Sequence, residues 1–176
     1  MKFMYKILPF MLGCLAATLS AQQVTYNYDQ SANFANYHTY KWVEIAGAAY
    51  PNQIVDQQIK QAIGGQLNQK GLTPATGDNA DLDVGYQIAM SQQKQLNTFG
   101  NFGGWRGMGG MGTITESTIN NGTLVVDLYD PNMKQLVWRG QGTKSINPSG
   151  NQQKNLNNLN KAVAKIMKNY PPGMKH

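Results

Sequence analysis

The sequence predicts an α+β domain: an antiparallel sheet of about five to six strands with two helices packed on one face, in the order ββαββββα. Two observations carry this expectation. Several short runs alternate apolar with polar residues, the period of half-buried strands, while two longer runs repeat apolar residues every three to four positions, the period of helices. Tight turn signals also separate the later strands; hairpins join neighbours antiparallel and leave the helices to cover one sheet face.

Residues 1–21 have the three-part form of a secretory leader. Lys2 and Lys6 supply the positive start, and an apolar stretch runs from Ile7 to Ala17. Leu19-Ser20-Ala21 then offers a small residue for cleavage. The stretch falls short of the roughly 20 residues a membrane-spanning helix needs, and nothing later in the chain is longer. The expected destination is the periplasm, with outer-membrane association as the variant if Cys14 is lipidated. Gly13-Cys14 supplies the small residue that precedes a lipoprotein cysteine. However, Leu12 is bulky and Leu15-Ala16-Ala17 continues the apolar run where a polar tether is expected. Cleavage near Ala21 is the favoured reading, and it leaves a mature chain without cysteine, hence without a disulfide or a thiolate nucleophile.

The remaining residues, 22–172, read as one domain. Val24 to Asp29 and Thr39 to Glu44 alternate as strands around the turn cluster Asp29-Gln30-Ser31-Ala32-Asn33. After Pro51, Val55, Ile59, Ile63 and Leu67 mark a helix that Asn52 can cap and Gly71 can end. Gly64 and Gly65 inside it imply close packing against the sheet. Leu82, Val84, Tyr86, Ile88 and Met90 share one face of the clearest strand, with Asp81 and Asp83 assigned to the other.

Residues 97–112 interrupt the pattern: seven of these sixteen are glycine, so they read as a loop between strands. Thr113 to Ile119 then leads through Asn120-Asn121-Gly122, the strongest short hairpin signal, into Thr123 to Tyr129. Asp130-Pro131-Asn132-Met133-Lys134 turns into Gln135 to Gly140. A last helix from about Asn151 to Tyr170 carries the stripe Leu156, Leu159, Val163, Ile166, Met167 and Tyr170, stopped by Pro171-Pro172.

The composition sets limits on function. An apolar fraction of 41% suffices for a core and argues against disorder, while charged residues make up only 14%. The formal charge is +6, but two of the positives fall in the leader and the others are scattered. Lys154, Lys161, Lys165 and Lys168 read as the solvated side of the last helix, and no basic face with interleaved aromatics marks a nucleic-acid partner.

No motif assigns a catalytic, cofactor-binding or metal-ligating residue. Gly107, Gly109 and Gly112 have dinucleotide-motif spacing, but they lead into a strand where that motif opens a helix. The two histidines, His38 and His176, assemble neither a metal site nor a serine triad, and His38 reads as structural. Asn121-Gly122-Thr123 is formally a glycosylation sequon that the hairpin signal explains with less assumed. The carboxylates Asp81, Asp83 and Asp127 are the candidates for an envelope hydrolase, if a cleft held two of them roughly 5–10 Å apart. Their structural alternatives are a turn at Asp81, a turn start at Asp130 and an ion pair between Asp127 and Arg139. The glycine-rich loop repeats Phe99, Phe102, Trp105, Met108 and Met111 every three residues, with Arg106 beside the Trp. These six form a candidate contact patch for an envelope protein or another envelope component, the alternative being a variable insertion folded onto the sheet.

Several segments together resemble the domain-of-unknown-function 4136 family. They are Phe34 to Trp42, Lys70-Gly71-Leu72, Ala80 to Val84, Gly122 to Asp130, and Leu136-Val137-Trp138-Arg139-Gly140. The resemblance spans about Val24 to Tyr170. It implies a bacterial envelope protein, often a lipoprotein, with no assigned activity and no catalytic residues to carry over. The function expected is accordingly a non-enzymatic binding or structural module, with the hydrolase as alternative.

Overall fold

The computed structural model describes residues 23–99, 113–146 and 149–173. The leader with Cys14, and all of the loop except its first three residues, lie outside the described residues. The elements are β1 (Gln23–Tyr28), a 3-10 turn (Phe34–Asn36), β2 (Thr39–Trp42), α1 (Gln53–Gln69), β3 (Thr73–Pro74), β4 (Leu82–Phe99), β5 (Thr113–Asp130), β6 (Gln135–Ser145) and α2 (Gln152–Ile166). A 3-10 turn, Met167–Asn169, closes α2.

The strands form one six-stranded sheet in the order β1-β6-β5-β4-β2-β3. Strand number and the α+β class agree with the sequence reading; strand direction and order do not. The sheet is mixed, because β2 runs parallel to both β3 and β4. The reason is α1: a helix between two strands supplies the long crossover that parallel neighbours need. The β1–β6, β6–β5 and β5–β4 pairs are antiparallel.

A second correction concerns the hairpins. Asn120-Asn121-Gly122 is not a turn but lies within the continuous strand β5, paired with Gln92, Ser91 and Met90 of β4. A single register links β4 and β5 from Asp83↔Tyr129 to Phe99↔Thr113. Asn97, Thr98 and Phe99 therefore belong to β4 rather than to a loop. The two strands expected over 113–129 are one, and the two-residue β3 was not foreseen. Beyond Asn121, the last β5 residue paired with β6, β4 and β5 continue as a two-stranded ribbon for roughly 25 Å.

The turn at Asp130 is as expected: its Oδ1 accepts from the Asn132 and Met133 amides at 2.8 and 3.0 Å. Lys134 completes it with φ 53°. Just inside that turn a bulge between β5 and β6 falls at Leu128/Tyr129, opposite Leu136 to Trp138. Val137 and Trp138 are in consequence both fully buried, whereas plain alternation would bury one of them.

Both helices cover one face. Asn52 accepts from the Val55 amide at 3.1 Å to start α1, and Gly71 (φ 89°) ends it while the Leu72 amide donates back to the Leu67 carbonyl at 3.0 Å. Asn151 caps α2 through the Lys154 amide. Ile59, Ile63 and Leu67 of α1 and Val163 and Ile166 of α2 meet Tyr40, Leu82, Val84, Tyr86, Val126, Leu128 and Trp138 in one core. The opposite sheet face carries the alternate residues, among them Lys41, Asp83, Asp127 and Arg139.

Candidate functional site

Two of the three candidate carboxylates, Asp81 and Asp127, are consumed by structure. Asp81 precedes β4, so strand alternation does not apply to it. Its Oδ2 accepts from the His38 amide, the Thr39 amide and the Thr39 hydroxyl, each at 2.9 Å. These bonds, the His38 amide foremost, hold its carboxyl below the usual carboxylate range and pin the start of β2 to the start of β4. Asp81 faces a concavity of about 320 Å³ with Asp130 and Tyr37, not with Asp83. Asp130 accepts from the Tyr37 hydroxyl at 2.9 Å, and burial together with that bond pushes the Tyr37 phenol well up. His38 contributes backbone groups here, its carbonyl accepting from the Thr73 amide at 2.8 Å.

Asp83 and Asp127 lie on the open sheet face and line a shallow recess of about 240 Å³ with Gly85, Gln87 and Arg139. Sequence reasoning set Asp83 beside Asp81; the β4–β5 register places it opposite Tyr129, with Asp127 one diagonal step away on the same face. Asp127 is buried and held by Arg139 at 2.6 and 2.7 Å through two parallel bonds, the geometry of a planar guanidinium on a carboxylate. That bond raises the Arg139 pKa. Lys41 approaches Asp83 at 3.6 Å. The Asp127–Arg139 pair and the Asp130 turn are thus as the structural alternatives had them.

Of the loop patch, Phe99 ends β4, and its side chain lies outside the described residues together with Phe102, Trp105, Arg106, Met108 and Met111. Among the described residues no group of three His, Cys, Asp or Glu side chains gathers to hold a metal, and no helix is long and apolar enough to cross a membrane.

A feature sequence reasoning missed lies between the helices and the sheet, toward the ribbon end. An apolar groove of about 360 Å³ opens there. Its floor is the in-register row Ile88, Leu124 and Gly142, and its outer row is Met90, Gly122 and Lys144. Val55 and Ile59 of α1 and Leu159, Ala162 and Ile166 of α2 form the roof. Glycine explains why space exists. Gly140 and Gly142 sit on the helix-facing side of β6, and the Trp138 ring fills the space over Gly140, where a Cβ would come within 2.2 Å of it. One pair of residues farther along, Gly142 borders the groove. At the mouth, Ile146 lies against Gly122, and Met90 and Ile146 are exposed. The signal in the sequence was the Gly-x-Gly spacing at 140 and 142 on one strand face.

The family model described as "Domain of unknown function (DUF4136)" matches residues 24–172. No curated protein matches the chain. Among solved structures, the fold is similar to a PDZ domain protein from Parabacteroides distasonis ATCC 8503, with 13% identity and a TM-score of 0.57. The match covers 88% of this chain and 37% of that one, so this chain spans well under half of that protein. A PelC dodecamer from Paraburkholderia phytofirmans matches at 13% identity over 84% of this chain and 95% of that one; its TM-score of 0.49 carries no argument. At such identities the first likeness is one of fold alone.

Proposed function

The chain belongs to the DUF4136 family, and from that premise we propose that it is an exported, non-enzymatic binding module of the cell envelope. One observation carries the reading: the groove between helices and sheet is built of aliphatic side chains, while Asp81 is committed to a backbone cap, Asp127 to an ion pair with Arg139, and Asp83 stands beside Lys41. A surface of that kind holds a partner through contact and desolvation and supplies no group to break a bond. A hydrolase would need a carboxyl held protonated or a carboxylate free to activate water. Asp81 is instead held below the usual range, and Asp127 is occupied by Arg139. Export rests on the leader pattern of residues 1–21.

The test is to express the full chain in a bacterium with an outer membrane, fractionate the cells and record the mass of the product. The expected product is in the envelope fraction and begins at Gln22 or at an acylated Cys14. An uncleaved chain in the cytoplasm overturns the export reading. Native mass spectrometry of the purified protein is expected to show a bound species that Leu159→Trp, which fills the groove, removes. Identical spectra for both proteins, or a bound species chemically converted on incubation, overturn the binding reading.

A further inference from the structure

The chemistry of the groove is specific enough to name its ligand class, an inference that rests on the binding-module reading above. Among the described residues the lining contains Val55, Ile59, Ile88, Leu124, Leu159 and Ile166 and no aromatic ring. A flexible aliphatic chain matches such walls, whereas a flat aromatic ligand would find no ring to stack on. If a methylene occupies the ~30 Å³ that one water takes in the liquid, a groove of this volume suits a chain on the order of ten carbons.

The mouth adds charge of one sign. Lys144 lies directly across from Gly122 on the helix-facing side of the sheet, at the outer row of the groove, and is exposed. Among the described residues it makes no ion pair or side-chain hydrogen bond. Asn155 and Asn158 of α2 border the groove with it. The first turn of α2 carries no acidic residue, so nothing there opposes an anion, and the positive end of the helix dipole favours one. On the α1 side, Asp56 is occupied: it accepts from the Tyr86 hydroxyl at 2.6 Å and pairs with Lys60 at 3.0 Å.

From these two observations we infer that the groove binds a free single-chain amphiphile with an anionic head, a fatty acid of medium length. The tail lies between the two helices and the Ile88–Leu124–Gly142 row, and the carboxylate meets Lys144 at the mouth.

The experiment is isothermal titration of the mature chain with laurate and with dodecanol, each below its aggregation threshold. The expected result is one laurate site per chain, with dodecanol weaker. Lys144→Met, which keeps the aliphatic stem, weakens laurate by about fivefold, the order of a charge-assisted contact at an exposed mouth, and leaves dodecanol unchanged. Ile146→Asp, a change at an exposed position that spares the core, weakens both ligands. Equal binding of laurate and dodecanol, unmoved by Lys144→Met, overturns the anionic head. No binding of either ligand overturns the amphiphile altogether. Neither failure removes the binding-module reading, which stands or falls on the species carried by the protein from the envelope.

Discussion

Gly64 and Gly65 are adjacent in one helix turn, yet the structure gives them opposite roles, and a pair of alanine substitutions separates them. A Cβ on Gly65 meets nothing within 4 Å and points to solvent. Gly65→Ala therefore gains the helix propensity of alanine without a packing penalty, about 0.8–1.0 kcal/mol. In a domain of this size that raises the melting temperature by roughly 2–4 °C. A Cβ on Gly64 would stand 2.9 Å from the Tyr40 hydroxyl. Tyr40 is buried, and its ring packs edge-on against Trp42 at 5.9 Å, so it has little room to give. Overpacking of this kind costs about 1–3 kcal/mol, which takes the net effect of Gly64→Ala from near zero to a loss of about 2 kcal/mol. The assay is urea unfolding followed by tryptophan fluorescence, with the slope checked for constancy so that midpoint shifts report stability. Tyr40→Phe in the Gly64→Ala background provides the control: removing the hydroxyl makes room for the new methyl, and the two changes should couple by about 1 kcal/mol. Equal stabilisation at both glycines, with no coupling to Tyr40, would show that α1 does not rest on β2 at this point.

Asn121→Thr separates a turn from a strand. As the second residue of a hairpin turn with positive φ, a β-branched residue would cost well over ~1 kcal/mol, whereas within β5 it is tolerated to within about 0.5 kcal/mol; a large loss of stability in urea would restore the turn. Asp81 sets an acid limb. Its carboxyl is depressed in the folded protein, so its contribution is fully present above the unfolded value of about 3.9 and is lost as pH falls through the lower folded value. Asp81→Asn should be less stable than the parent at pH 7, by about 1–2 kcal/mol, and its stability should fall less steeply below about pH 4. Parallel pH profiles for the two proteins would remove Asp81 from its role as the cap of β2.

Local signals located most of the elements. The stripe Val55, Ile59, Ile63, Leu67 and its caps Asn52 and Gly71 are properties of neighbouring residues, and α1 occupies the range they define. The Asp130 turn was readable for the same reason, since a short carboxylate closes a turn on its own backbone whatever the rest of the chain does. The Asn-Gly at 121–122 misled because its signal is equally local and a longer-range pairing overrode it. Every residue from Asp83 to Phe99 finds a β5 partner in a single register, and a turn at Asn121 would have cost the outer half of that ladder. A Cβ at Gly122 would meet the end of the exposed Ile146 side chain, which can turn aside.

The site was less readable than the fold. Asp127 and Arg139 were paired correctly because one turn fixes the register between them. Asp83 and Asp127 are 44 positions apart, and Asp81 reaches back to His38 and Thr39 across the whole of α1; no periodicity encodes such meetings. The groove depended on still more, since its walls come from α1, β4, β5, β6 and α2.

By itself, then, the sequence determined the α+β class, the two helices with their apolar stripes and caps, the Asp130 turn and the family. All of these depend on residues within a few positions of each other or on pattern. The tertiary structure alone decided that β2 runs parallel to β4, that β4 and β5 form one long ribbon, which carboxylates meet, and that an aliphatic groove opens beside Gly142. Each of these follows from how distant segments share space, and packing volume is a property of the assembled layers that no single segment contains.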